Sequence, residues 1–149
     1  MYLDFTTSDF LTISYNCDTQ VLVGRWLRPV TLTEARQGYN ELLAVAKRQQ
    51  AHYWLLDIRR RHRSAPETLA WLLNTYYDTV VAELDAPVCL VYFMSPDLRK
   101  DFEVDGTVPA PATYKGKAFR MNQCTTESEA MDWLLQEQQQ EAQLVSSGR

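Results

Sequence analysis

Tyr53-Trp-Leu-Leu-Asp-Ile58-Arg-Arg-Arg-His-Arg63-Ser-Ala-Pro-Glu67 holds the key to the architecture. Tyr53–Ile58 is a nearly continuous apolar run, the pattern of a strand buried on both faces. Ser64-Ala-Pro-Glu67 matches a capping box, in which a Ser caps the first helical turn and a Glu reaches back to the N-cap amide. Pro66 falls in that first turn, where its missing N–H costs little. A strand, a short basic connection and a helix make one β-α unit.

The same alternation extends outward from this unit. Val88–Met94 is a second apolar run of the central-strand kind. The helix from Ser64 carries Leu69, Leu72, Leu73, Tyr76, Val80 and Leu84 on one stripe, with Trp71, Tyr77 and Val81 off it. Thr31-Leu-Thr-Glu34 opens an earlier helix with Ala35, Tyr39, Leu42, Leu43 and Ala46 at helical spacing. Thr126-Glu-Ser-Glu129 opens a last one, with Ala130, Trp133 and Leu134 facing inward. Phe10–Tyr15 and Val21–Leu27, joined by the polar Asn16–Gln20, read as a hairpin. Lys117–Gln123 alternates less cleanly and reads as an edge strand. Gly24 inside the second strand marks a bulge or a close approach by another segment. The class is α/β: an N-terminal β-hairpin, then mainly parallel strands alternating with helices through right-handed crossovers.

Two stretches depart from the pattern. Ser95-Pro96 suits the start of a short helical turn, with Ser95 as cap. Residues 103–116, with Gly106, Pro109, Pro111 and Gly116, read as a long irregular connection. Residues 138–149 lack an apolar face and read as a disordered tail.

The 149 residues fit one domain, 1–149, large enough for a sizeable core. Net charge is -4, which argues against a general nucleic-acid binder. The charge is uneven: residues 1–100 carry 11 basic and 11 acidic side chains, residues 101–149 carry 4 and 8. No apolar run is long enough to span a bilayer, and Met1–Phe5 has no signal-peptide character, so a cytoplasmic protein is expected. Cys17, Cys89 and Cys124 are scattered, as reduced thiols would be, and with His52 and His62 they form no zinc-binding spacing. No metal, cofactor or Gly-rich phosphate loop is expected.

The opening hairpin with Val21-Leu-Val-Gly-Arg-Trp26, the Thr31 helix, Tyr53–Ile58 and Val88–Met94 together resemble the SpoIIAA-like or STAS superfamily. The likeness is one of architecture and hydropathy over roughly residues 10–135. It implies a β-α superhelix and a non-catalytic regulatory or protein-interaction module. Members include anti-sigma-factor antagonists switched by phosphorylation of a Ser or Thr before the second helix, and modules that bind nucleotides or protein partners. Some relatives are grouped with lipid-carrying domains. Ser64 is the nearest positional match to the phosphoacceptor, although Ile58 and the basic run separate it from Asp57.

The basic run itself suggests chemistry. Arg59, Arg60, Arg61, His62 and Arg63 lie between a strand's carboxyl end, where open α/β sheets bind ligands, and a helix N-terminus rich in free N–H groups. A small anionic or lipid ligand could be held there by these side chains and the Ser64 amide. Alternatively the run pairs with Asp97, Asp101, Glu103 and Asp105 after the next strand. Asp57, Ser95 and Asp97 fall on the same strand edge as candidates for a contact site. Asp57 has no second acid, nucleophile or base fixed near it, so no catalytic residue is assigned. The unusual aromatic content, with Val21, Val23 and Leu27 on one strand face and Leu22 and Trp26 on the other, fits two readings equally: an uncovered apolar surface that serves as an interface, or a second face covered by the long loop and the termini. A protein partner is expected, either another protein or a second copy in a homodimer.

Overall fold

The computed structural model describes residues 1–61, 65–85, 87–105 and 118–147. Strands β1 (Tyr2–Asp4), β2 (Leu11–Asn16), β3 (Val21–Trp26), β4 (Tyr53–Asp57), β5 (Val88–Phe93) and β6 (Phe119–Cys124) form one sheet in sequence order. The pairs β1–β2 and β2–β3 are antiparallel. The pairs β3–β4, β4–β5 and β5–β6 are parallel. This is the α/β arrangement expected from the hydropathy pattern. β1 is an addition, since three residues are too few to show an alternation. Asn16 makes the hairpin turn, its Oδ1 accepting from the amides of Asp18 and Thr19, and Gln20 closes it at φ 60°.

Because every parallel step moves to the next neighbour in the same direction, right-handed crossovers put the connecting helices on one face. There α1 (Leu32–Gln49) packs with α2 (Pro66–Trp71), a π-helical turn (Leu72–Tyr76) and α3 (Tyr77–Leu84). Period-2 alternation feeds this core with Leu22 and Trp26, Trp54 and Leu56, Leu90 and Tyr92, and Phe119 and Met121. α1 starts as its capping box requires: Thr31 Oγ1 accepts from the Glu34 amide and the Glu34 carboxylate accepts from the Thr31 amide. Gly24 allows a close approach and no bulge, since β2–β3 register runs unbroken and a Cβ there would lie 2.9 Å from Leu42 and Leu56 methyls.

The next helix differs from its sequence reading in two ways. Its N-cap is Ala65, which makes no side-chain cap bond, one residue later than expected; Ser64 lies outside the described residues. It is also not one uniform stripe. Adjacent residues of an α-helix project about 100° apart, yet Tyr76 and Tyr77 are both buried, at 1% and 6% exposure. The π turn, which adds a residue to the turn, ends at Tyr76 and rotates the residues of α3 relative to those of α2. Tyr77 is thereby moved from its expected off-stripe position into the core.

α4 (Pro96–Asp105) is longer than the expected turn, so residues 103–105 close a helix, while 106–117 lie outside the described residues. α5 (Glu127–Ser147) covers the second sheet face, placing Ala130 and Leu134 against Val21, Val23, Leu55, Cys89, Val91 and Phe93. Of the two readings of the second sheet face, the covered one holds, with the C-terminal helix as its cover. The expected tail is corrected over 138–147, which remains helical. Polar bonds replace the missing apolar stripe: Arg120 pairs with Glu137 at 2.7 Å and with Glu141, Tyr53 Oη donates to Glu141, and Gln138 donates to the Thr19 carbonyl.

Candidate functional site

The carboxyl ends of β3, β4 and β5 bring together Arg25, Asp57 and Phe93, since Arg25 pairs with Asp57 and Asp57 with Phe93 in register. Arg59 follows two residues beyond Asp57 and folds back onto it. The Arg59 amide and Nε donate to Asp57 Oδ1 at 3.1 and 3.0 Å, and Nη2 donates to Oδ2 at 2.8 Å. Arg25 Nη1 reaches the same Oδ2 at 3.1 Å, and its Nη2 reaches Glu127 of α5 at 2.6 Å. The Arg59 guanidinium also lies over the Phe93 ring, 4.1 Å from its centroid. Burial pushes the Asp57 carboxyl up, but the hydrogen bonds from Arg59 and Arg25 more than offset this and hold it below the ordinary aspartate range. With both oxygens occupied, Asp57 serves as an anchor for two cations and is a poor proton acceptor.

Of the other strand-edge candidates, Ser95 caps α4, its Oγ accepting from the Leu98 amide at 3.2 Å, and Asp97 is exposed in the first turn. The bonds of Asp57 run to arginines and that of Ser95 runs along α4, so these residues do not converge on one another.

The described part of the basic run divides three ways. Arg59 is committed to Asp57, Arg60 is exposed, and Arg61 turns inward. His62, Arg63 and Ser64 lie outside the described residues. Arg61 is only 5% exposed. Its Nη1 donates to Tyr39 Oη at 2.6 Å, and its guanidinium carbon lies 5.0 Å from the Trp26 ring centroid and 5.6 Å from that of Tyr39. From Tyr39 a chain of phenols continues: Tyr39 Oη to Tyr92 Oη at 3.0 Å, then Tyr92 Oη to Tyr77 Oη at 2.7 Å. Tyr76 closes the arrangement by donating to the Tyr39 carbonyl. Burial raises the Tyr76 and Tyr92 phenols well above the ordinary tyrosine range, with Tyr39 and Tyr77 adding to the effect.

Neither Arg25 nor this tyrosine group stands out in the sequence. Tyr39 and Tyr92 sit in ordinary apolar stripes and look like core. The only local signal is the Tyr76-Tyr77 doublet, whose second ring does not fit the stripe. Tyr77 also lines an open depression of about 400 Å³ with Leu73, Asp78, Val81, Ala82, Ala118 and Phe119.

Among the described residues, no group of three or more His, Cys, Asp or Glu is placed to hold a metal ion. No helix there is long and apolar enough to cross a membrane. Comparison of the chain with protein-family models, with curated proteins and with solved structures finds no significant match.

Proposed function

We propose that the protein is a non-catalytic regulatory module of the STAS-like kind, working in the cytoplasm through protein contacts at the carboxyl edge of β3–β5. The observation that carries this reading is the double anchoring of Arg25 and Arg59 on Asp57. It fixes two half-exposed guanidinium groups on a rigid sheet edge, with Arg60 exposed beside them. Such a surface suits recognition of an acidic partner, since pre-ordered side chains lose less entropy on binding. It does not suit proton transfer at Asp57, because that carboxylate is already saturated. The hairpin followed by parallel β-α units supports the superfamily reading. The partner is a second protein or a second copy of the chain.

The test is photo-cross-linking in the native host, with a photoreactive amino acid at position 60 or, as a control on the far sheet edge, at position 2. The expected result is one discrete adduct from position 60 that is missing from position 2. Mass spectrometry of the adduct separates a homodimer from another protein. No adduct at position 60, or the same adducts from both positions, removes the reading.

A further inference from the structure

Arg61 presents a problem in charge balance. An arginine remains protonated in proteins, and this one lies in the core. A buried cation is costly unless it is paired. Among the described residues no carboxylate lies within ion-pair distance of it, and its hydrogen bond goes to a phenol. Tyr76 and Tyr92, in the same cluster, are held protonated by burial.

The pattern of used and unused donors shows what the site lacks. Arg59 offers the comparison within the same chain: its Nε and Nη2 form a side-on fork that grips both oxygens of Asp57. In Arg61 the bond to Tyr39 uses Nη1, on the other side of the guanidinium, and Nε is buried with no partner. The neighbouring Trp26 Nε1 is also buried with no partner. All the unmatched groups here are donors. A water molecule would satisfy an N–H but leave the charge uncompensated.

We infer that the Arg61 Nε/Nη2 fork is a binding site for the carboxylate of a small monoanionic acid. The fork geometry matches a carboxylate's two oxygens. One guanidinium neutralises one negative charge, whereas a phosphate dianion would leave a charge buried. The phenol chain leading away from Arg61 runs through Tyr92 to Tyr77. The tyrosines orient the fork by fixing Nη1, and the π turn is the device that brings Tyr77 into that chain. This site lies apart from the exposed Arg59–Arg60 surface and stands whether or not a protein docks there.

Titration calorimetry and tryptophan fluorescence on the full chain at neutral pH test the site. The probes are benzoate and octanoate, their neutral amides, and inorganic phosphate. Saturable binding of a carboxylate is expected, with the matching amide and phosphate weaker by at least about tenfold. Arg61→Lys keeps the charge but loses the fork, and should weaken carboxylate binding by about tenfold or more while thermal unfolding stays cooperative. Arg61→Met tests removal of the charge if it folds, and Lys100→Met, an exposed cation on α4, should bind as the parent does. No saturation up to about 10 mM, equal binding of acid and amide, or unchanged binding by Arg61→Lys overturns the inference. None of these outcomes bears on the cross-linking from position 60.

Discussion

Gly38 of α1 lies directly against Trp26 of β3: a Cβ at position 38 would sit 2.5 Å from Trp26 Cη2 and 3.0 Å from Cζ3. The missing side chain is what lets the helix settle onto the indole, and the indole in turn forms a wall of the Arg61 cage. Two effects of Gly38→Ala compete. Replacing Gly in a helix interior gains about 1 kcal/mol of propensity. Overpacking a filled core costs about 1–3 kcal/mol, and Trp26, fully buried between Phe10 and Tyr39, has little room to move. The cost prevails. Urea unfolding should show a lower midpoint at unchanged slope; a higher midpoint would mean that α1 is not seated as described.

Asp57 anchors the edge, so Asp57→Ala should release Arg25 and Arg59 together. A loss of about 1–3 kcal/mol is expected, because a buried carboxylate bonded to charged donors is removed while its half-exposed partners regain water. The pH dependence has a definite sign. The folded carboxyl titrates below the unfolded value of 3.8, so its stabilisation is complete above that value and is lost as pH falls through the lowered one. The difference between parent and variant should therefore be largest near neutrality and shrink below pH 3.8. A constant difference through the acid range would show that the arginines do not hold the carboxylate.

The three thiols should separate by reactivity. Cys17 is exposed in the hairpin turn, whereas Cys89 and Cys124 are buried under α5. Burial pushes the Cys89 thiol up to about 12 and also raises Cys124, so the reactive thiolate is scarce at both. Ellman's reagent at mildly alkaline pH should titrate one thiol in the folded protein and three after unfolding. Rapid reaction of a second thiol would mean that α5 does not cover the sheet.

The continuous apolar runs Tyr53–Ile58 and Val88–Met94 made the central strands legible, and their alternation with helical stripes made the parallel order legible. Thr31 and Thr126 marked helix starts for a local reason: a cap and its amide are three residues apart. Arg61 was unreadable for the opposite reason. Its five-residue context is uniformly basic, and only tertiary packing sends Arg59 to Asp57, leaves Arg60 in solvent and turns Arg61 into the core. The π turn was equally hidden, as it is set by where Tyr76 and Tyr77 must both fit and leaves only a ring out of phase in the sequence. The second half of α5 misled for a related cause: its docking is polar, and a search for apolar periodicity passes over Glu137 and Glu141.

That polar docking makes its own prediction. Trp133 and Leu134 hold the first half of α5 through apolar contacts, whereas residues from 137 onward are held largely through Arg120, which pairs with Glu137 and Glu141 while Tyr53 donates to the same Glu141. Burial and the bond to Glu141 push the Tyr53 phenol far above its ordinary range, so it remains a donor at any physiological pH. Arg120→Ala would leave both glutamates without their cation, and two like charges one helical turn apart repel. Hydrogen exchange should then quicken at the amides of 138–147 while those near 130–134 keep their protection. Tyr53→Phe should have the same effect to a smaller degree, since it removes one bond and leaves the ion pairs. Exchange of 138–147 in the parent protein at the rate of an unstructured peptide would mean that the helix ends near Glu137, and that Arg120 is neutralised from elsewhere.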